Sequence, residues 1–143
     1  MSGGRSIRLK LSRGLNQGTL DELRLAAKML MEEANVDHGQ RAAVAAVVEE
    51  LGTNVMEHSG AFWLELGIVA ADHVTCLSLS DNGPEFDPVK IIQSRDFSAD
   101  IATDEGRSLG LFMLKQLTES MRYLREEGGI NRVILQLAAR KRA

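Results

Sequence analysis

Residues 47–58 read VVEELGTNVMEH, and their spacing predicts an amphipathic helix that carries polar side chains beside its apolar stripe. The apolar residues share one face of a 3.6-residue helix: Val44, Val47, Val48, Leu51 and Val55. Glu50, Asn54 and His58 follow one another at steps of four, close to that stripe. A buried polar group without a partner costs about 1–3 kcal/mol. The amide and the imidazole therefore need partners, and the rest of the sequence must supply or imply them.

Two helices are predicted in this half of the chain. The second runs from about residue 39 to residue 58 and ends at Ser59-Gly60. The first runs from about residue 19 to residue 34, where Leu20, Leu23, Ala27, Leu30 and Met31 have helical spacing. Thr19 is the expected N-cap of the first helix, and Glu22 would complete a capping box.

Strands are predicted on both sides of these helices. Five stretches have the required composition or alternation: SIRLKLS (6–12), FWLELGIVA (62–70), HVTCLSLS (73–80), MRYLRE (121–126) and RVILQLA (132–138). Turns are expected at 71–72 and 127–129. Residues 82–108 have no sustained pattern and are expected to form a long functional loop, after which residues 109–117 return to helical spacing.

The order of elements predicts the fold class. A β-α-α-β-β-loop-α-β-β order gives hairpin-linked strands with helices on one face, which is an α+β two-layer sandwich with a mixed, mostly antiparallel sheet. We expect residues 1–143 to form a single domain, because 143 residues suffice for one core.

Composition restricts the function classes. The chain is 44% apolar and 26% charged with a net charge of −3, which argues against a general nucleic-acid binder. No run is long enough to span a membrane and the N-terminus does not resemble a signal peptide, so the expected location is the cytoplasm. Cys76 is the only cysteine, which excludes a disulfide framework and predicts a small core residue at that position.

Three clusters could carry chemistry, and each also has a purely structural interpretation. On the predicted helix, Asn54 offers an oxygen to Mg²⁺ and Glu50 a base, although a lone Asn is more often structural. In DNGPEF, after the third predicted strand, Asp81 could accept a hydrogen bond from an exocyclic amine, and Gly83 could make room for a nucleobase. The same residues could instead simply form an Asx turn. In EGRSLGLFML (105–114), glycines before a helix could hold phosphate, or serve as turn and packing residues.

The combination of the three clusters, and their order along the chain, resemble a known family. The segments ELGTN (50–54), DNG (81–83) and GRSLGL (106–111) resemble the N, G1 and G2 boxes of the GHKL ATPase superfamily. Within it, the short chain is similar to the bacterial anti-sigma-factor serine/threonine kinases, which bind a sigma factor or a STAS-domain antagonist. The resemblance covers about residues 5–139.

The resemblance implies a role for each motif. Asn54 would hold the Mg²⁺ that bridges the ATP phosphates, and Glu50 would be the general base toward a serine or threonine of the partner. Asp81 would accept from the adenine amine, with Gly83 making room for the base. Residues 94–108 would form the ATP lid. The predicted phosphate-binding stretch is Gly106, Arg107, Ser108, Leu109 and Gly110.

Two departures from the family pattern accompany these matches. Ser108 stands where the family usually has a glycine, and Gly129-Ile130-Asn131 stands where it commonly has Gly-Thr. Asn131 would either replace that threonine or leave adenine affinity reduced. His58 matches a histidine often found at this helix end, and we expect it to be a hydrogen-bonded helix terminus.

Two hypotheses from different classes follow. The first is an ATP-dependent protein serine/threonine kinase that phosphorylates a STAS-domain antagonist. The second is a binding module that inhibits a sigma factor or another regulator and holds ATP with little turnover. The catalytic part of a sensor histidine kinase is a weaker third hypothesis. The family also suggests a homodimer.

Overall fold

The computed structural model describes residues 5–11, 16–58, 60–71, 74–94 and 114–137, and in residues 17, 58, 71 and 94 the backbone alone. These residues form five strands and three helices. In chain order they are β1 (Arg5–Leu11), α1 (Gln17–Glu33), α2 (His38–His58), β2 (Leu64–Ala71), β3 (Val74–Asp81), α3 (Pro88–Ser94), β4 (Thr118–Glu126) and β5 (Ile130–Leu137). Of the helix predicted over 109–117, residues 114–117 are described, and they are helical.

The five strands form one sheet in the order β1-β2-β3-β5-β4. Every pairing among these strands is antiparallel. The central β3 pairs with β5 so that Asp81 lies directly opposite Asn131. Strand β4 pairs with β5 through the turn predicted at 127–129, where Gly128 and Gly129 adopt positive φ angles of 86° and 76°. This hairpin places Arg125 opposite Asn131.

Helices α1 and α2 cover one face of the sheet, as a two-layer α+β sandwich requires. The whole predicted stripe of α2 is buried: Val44, Val47, Val48, Leu51 and Val55. The sheet contributes alternate residues to the same core, among them Leu66, Ile68, Leu77, Leu79 and Leu135. The predicted fold class is therefore confirmed.

A glycine lets the two large helices approach each other. A Cβ atom added at Gly52 would lie 2.6 Å from the Leu20 Cδ2 atom of α1. Glycine inside a helix costs about 1 kcal/mol relative to alanine. At Gly52 the missing side chain allows the close contact of α1 with α2 in spite of this cost.

An ion pair joins the same two helices at their outer edge. Arg24 Nε and Nη2 donate to the Glu49 carboxylate over 2.5 and 2.7 Å, and Arg24 Nη1 also reaches Asp21 over 2.7 Å. The hydrogen bond from Arg24 lowers the pKa of Glu49, and the same bond raises the pKa of Arg24. Glu49 thus serves the helix pair, although it is the neighbour of Glu50 in sequence.

The N-terminus of α1 differs from the prediction. The N-cap is Asn16, whose Oδ1 accepts from Thr19 N, while Thr19 Oγ1 accepts from Asn16 N. Thr19 is therefore the third helical residue, and the predicted cap at Thr19 with Glu22 is wrong. The helix begins one turn earlier because Asn16 supplies the reciprocal cap first.

The long predicted loop contains a short helix, α3 (Pro88–Ser94). Asp87 Oδ1 accepts from Lys90 N over 3.0 Å, and Pro88 occupies the first turn. Aspartate before a proline at the first helical position is a helix-start signal that the prediction of an unpatterned loop over 82–108 overlooked. The helix is anchored by Val89 and Ile92, which are buried.

Cys76 does not lie in the core. Its neighbours Thr75 and Leu77 are buried under the helices, whereas Cys76 is partly exposed. Successive residues of a strand point to opposite faces of the sheet, so Cys76 lies on the face opposite α1 and α2. The predicted core position was wrong because the alternation of β3 was read as a continuous apolar run.

Within the described ranges, no helix combines the length and the apolar character needed to cross a membrane.

Candidate functional site

Helix α2 carries the first pair of candidate residues. Glu50 and Asn54 lie one turn apart and both are half-buried, at the edge of the stripe that packs on the sheet. The Asn54 Nδ2 atom is buried and has no hydrogen-bond partner among the described residues. A buried amide without a partner costs about 1–3 kcal/mol. A bound group that carries oxygen atoms, such as water or phosphate, would offset this cost.

Asp81 ends β3 and is 5% exposed. Its Oδ1 atom accepts from Gly83 N over 2.8 Å and from Asn131 Nδ2 over 3.1 Å. The bond from Gly83 is the Asx turn that the sequence allowed as an alternative, so the turn and a binding role are compatible. No described residue donates to the second carboxylate oxygen, Oδ2, which leaves that atom as an acceptor for a ligand.

Asn131 holds the loop that follows Asp81. It is 3% exposed, and besides Asp81 its Nδ2 atom reaches Gly83 O over 3.3 Å and Pro84 O over 2.8 Å. Its Oδ1 atom accepts from Phe86 N over 3.4 Å. The side chain therefore joins the ends of the two central strands to the segment that contains Gly83, which is itself buried.

Two residues of β4 complete this network, and sequence reasoning missed both. Tyr123 Oη donates to Asn131 Oδ1 over 2.5 Å, and Arg125 Nη1 donates to the same atom and to Gly83 O, each over 2.9 Å. Burial, followed by the nearby charge of Glu85, raises the pKa of Tyr123, so this hydroxyl stays a donor at neutral pH. Counting outward from the turn at 127–129 would have placed Arg125 opposite Asn131.

A neighbouring asparagine orders a different loop. Asn82 Oδ1 accepts from Phe62 N over 2.8 Å and from Trp63 N over 3.0 Å. Asn82 thereby fixes the segment that leads from α2 into β2. The end of β3 thus bonds to two loops. Asp81 bonds to the loop at Gly83, and Asn82 bonds to the segment before β2.

Several predicted site residues lie outside the described residues. They are Gly106, Arg107, Ser108, Leu109 and Gly110, together with all of the predicted lid after Ser94. The His58 side chain also lies outside, although the His58 backbone ends α2. The structure therefore brings Asp81, Gly83 and Asn131 into direct contact and places Glu50 and Asn54 on a helix that contacts β3 and β5.

The described residues fit a nucleotide with a bound metal ion. Asp81 offers an acceptor in a buried position and Gly83 offers backbone without a side chain. Asn54 has a buried amide nitrogen with no hydrogen-bond partner among the described residues. Magnesium takes oxygen ligands, retains several waters and commonly shares substrate phosphates. An ion here would draw on the Asn54 amide oxygen and on phosphate oxygens.

Comparison with known proteins identifies the family. Residues 15–137 match the model of the histidine kinase-like ATPase domain, and the chain belongs to this family. Membership implies ATP as the nucleotide. The resemblance to the GHKL family inferred from the motifs is thereby confirmed. Among curated proteins, none matches the chain.

Two solved structures share the fold. One is the SiaB–SiaC complex from Pseudomonas aeruginosa, with a TM-score of 0.60 and 14% identity over 90% of this chain and 88% of that chain. The other contains the RsbU and RsbW domains of Rv1364c from Mycobacterium tuberculosis, with a TM-score of 0.60 and 17% identity. That match covers 96% of this chain but 34% of the longer one.

Proposed function

We propose that this protein is an ATP-dependent serine/threonine kinase of the anti-sigma-factor type, which phosphorylates a STAS-domain antagonist in a partner-switching system. Family membership supports ATP as the phosphoryl donor. The observation that carries the proposal is the pairing of Glu50 with Asn54 on α2, where the Asn54 Nδ2 atom is buried without a hydrogen-bond partner among the described residues. The metal ligand and the base would then be one helical turn apart, about 6 Å along the helix axis.

In this proposal Glu50 acts on the partner, and Asp81 acts on the nucleotide. The Glu50 carboxylate takes the proton of a serine or threonine hydroxyl as that oxygen bonds to the γ-phosphorus of ATP. The bond from the γ-phosphorus to the bridging oxygen breaks, and ADP leaves. Magnesium, when bound, neutralises phosphate charge, which is the main requirement of phosphoryl transfer besides positioning. Asp81 and Gly83 orient the adenine ring of the nucleotide.

The fold comparisons support a role alongside a protein partner. One similar structure was determined as a complex of two proteins, SiaB and SiaC, and the other joins its RsbW domain to an RsbU domain. A STAS-domain partner follows from the family resemblance of the motifs. A sigma factor as second partner, a homodimer and a cytoplasmic location stay predictions.

The test is phosphosite mapping of a STAS-domain partner. Purified protein is mixed with the partner and magnesium, with ATP or with ADP, and the partner is analysed by mass spectrometry. The proposal expects phosphoserine or phosphothreonine on the partner only with ATP. Phosphate on a histidine instead would contradict the assignment to serine/threonine kinases.

A second candidate function is a binding module that holds ATP and inhibits a regulator with little turnover. It is favoured by the departures at Ser108 and at Ile130-Asn131, which alter two nucleotide-contacting positions of the family pattern. The same experiment separates the two functions. A module would bind its partner more tightly with ATP than without, and would leave no phosphate on it.

A further inference from the structure

Asn131 contacts both Asp81 and the loop at Gly83, which together form the candidate nucleobase site. We propose that Asn131 is the positioning residue that makes this site selective for a purine nucleotide with a 6-amino group. This inference rests on the proposed function, because it requires a nucleotide whose base lies against Asp81. Asn131 would act through Asp81 and would not itself touch the base.

The surroundings of Asn131 fix the orientation of its amide. Three acceptors face Nδ2, namely the Asp81 carboxylate and the carbonyl oxygens of Gly83 and Pro84. Three donors face Oδ1, from Phe86 N, Tyr123 Oη and Arg125 Nη1. A guanidinium cannot accept and a carbonyl cannot donate, so a rotated amide would lose these bonds. The NH₂ group therefore always points at Asp81.

The hydrogen bond from Asn131 to Asp81 determines which ligand group Asp81 can recognise. Gly83 N and Asn131 Nδ2 both donate to Oδ1 and hold the carboxylate in one orientation. The remaining oxygen, Oδ2, is then presented as an acceptor. A carboxylate acceptor pairs with an exocyclic amine and has no bond to make with a purine that lacks one. Selectivity for the 6-amino group thus depends on the donor half of Asn131.

The two halves of Asn131 can be separated by substitution. Asn131→Val removes the donor toward Asp81, whereas the isosteric Asn131→Thr has a hydroxyl that can donate to it. An aspartate would not remove the donor cleanly, because two buried carboxyls in contact share a proton that can still donate. Tyr123→Phe removes one bond to the opposite half and leaves the donor toward Asp81 in place. A positioning role through Asp81 predicts a change in selectivity for Asn131→Val alone, whereas general support of the loop predicts similar effects for Asn131→Val and Tyr123→Phe.

The experiment is a thermodynamic cycle between the ligand amine and Asn131. Calorimetry measures the Kd of ATP and of purine riboside triphosphate, which lacks the 6-amino group, for wild type, Asn131→Val, Asn131→Thr and Tyr123→Phe. Loss of a hydrogen bond to a charged group corresponds to about a 10- to 100-fold change in Kd, so wild type should prefer ATP by about that factor. The preference should fall to near unity in Asn131→Val and persist in Asn131→Thr and Tyr123→Phe. Asn16→Ala, which weakens the distant cap of α1, controls for lost stability.

The outcomes are distinct. A preference kept by Asn131→Thr and lost by Asn131→Val supports the inference, since the threonine hydroxyl can donate to Asp81. Equal preferences in these two variants would overturn the inference but leave the proposed function standing, whereas a wild type that binds neither nucleotide would overturn the proposed function as well. If Asn131→Val does not fold, Asn131→Ser and Asn131→Ala make the same comparison.

Discussion

At the scale of single residues, the candidate site consists of polar groups placed where a folded core alone would not keep them. Within the part of the chain that the structure describes, Asn54 has a buried nitrogen without a partner, and Asp81 is 5% exposed with one oxygen left for a ligand. Such groups reduce stability in the absence of a ligand and are typical of functional positions. Asn131 differs from both, because its donors and acceptors are all used within the protein.

The first prediction concerns Asn54. Asn54→Ala should weaken binding of Mg·ATP by at least about tenfold, the size expected for loss of a contact to a charged group, and should weaken metal-free ADP much less. The reason is that the Asn54 amide oxygen is assigned to the metal ion rather than to the adenine ring. Calorimetry with each ligand measures the two affinities. Equal losses for both ligands would remove Asn54 from the metal site.

Removal of Asn54 should also have little effect on the free protein. The substitution eliminates an unpartnered buried nitrogen, which offsets part of the packing that is lost. Urea unfolding without nucleotide should therefore show a change of at most about 1 kcal/mol. A much larger loss would indicate that Asn54 is chiefly a structural residue.

At the scale of elements, side-chain caps explain where two of the three helices begin. Asn16 and Asp87 cap α1 and α3 through the same side-chain oxygen chemistry. The pairing of α1 with α2 adds Gly52, which permits close contact, and the Arg24–Glu49 ion pair at the outer edge. The side chains of that pair are 40% and 44% exposed, so its contribution is screened by water and salt.

The second prediction is the pH dependence of this ion pair. The pKa of Glu49 is lowered from its usual value of 4.5 in the folded protein, so its stabilising effect is fully present above that value and is lost as pH falls through the folded pKa. Glu49→Gln should cost about 0.2–1 kcal/mol at pH 7, and this cost should shrink progressively as pH falls below 4.5. Urea unfolding at pH 7 and at several values below pH 4.5 tests this, with a smaller difference expected in 1 M salt. A difference between wild type and variant that does not change with pH would contradict the ion-pair account.

The elements also show what the sequence could predict. The stripe of α2 was predicted completely, because five apolar residues at helical spacing leave no alternative face. The cap of α1 and the helix α3 were missed because short polar signals at Asn16 and Asp87 carry little weight beside longer apolar patterns. Cys76 was placed in the core because its apolar neighbours concealed the alternation of β3.

At the scale of the whole molecule, sheet order brings the candidate site together from distant parts of the chain. Asp81 and Asn131 are 50 residues apart in sequence and directly opposite each other in the sheet. The combination of three short motifs along the chain predicted Glu50, Asn54, Asp81 and Gly83 as site residues. The supporting network of Tyr123, Arg125 and Asn131 depends on strand register, which only the folded sheet makes explicit.

The central claim is that Glu50 is the base of a kinase, and two adjacent glutamates allow a matched test. Glu50→Gln keeps the size of the side chain but cannot take a proton, while Glu49→Gln makes the same substitution at a residue bound to Arg24. Radiolabelled phosphoryl transfer to the same STAS-domain partner is measured for wild type and both variants, with Mg·ATP affinity determined in parallel.

Glu50→Gln is expected to lose about 10²–10⁴-fold in transfer rate, the usual contribution of general-base catalysis, with Mg·ATP affinity within a few-fold of wild type. Glu49→Gln should transfer phosphate at nearly the wild-type rate. Equal phosphate incorporation by wild type and Glu50→Gln would contradict the role assigned to Glu50. Tight ATP binding without incorporation by any of the three proteins would contradict the kinase itself and favour the binding module.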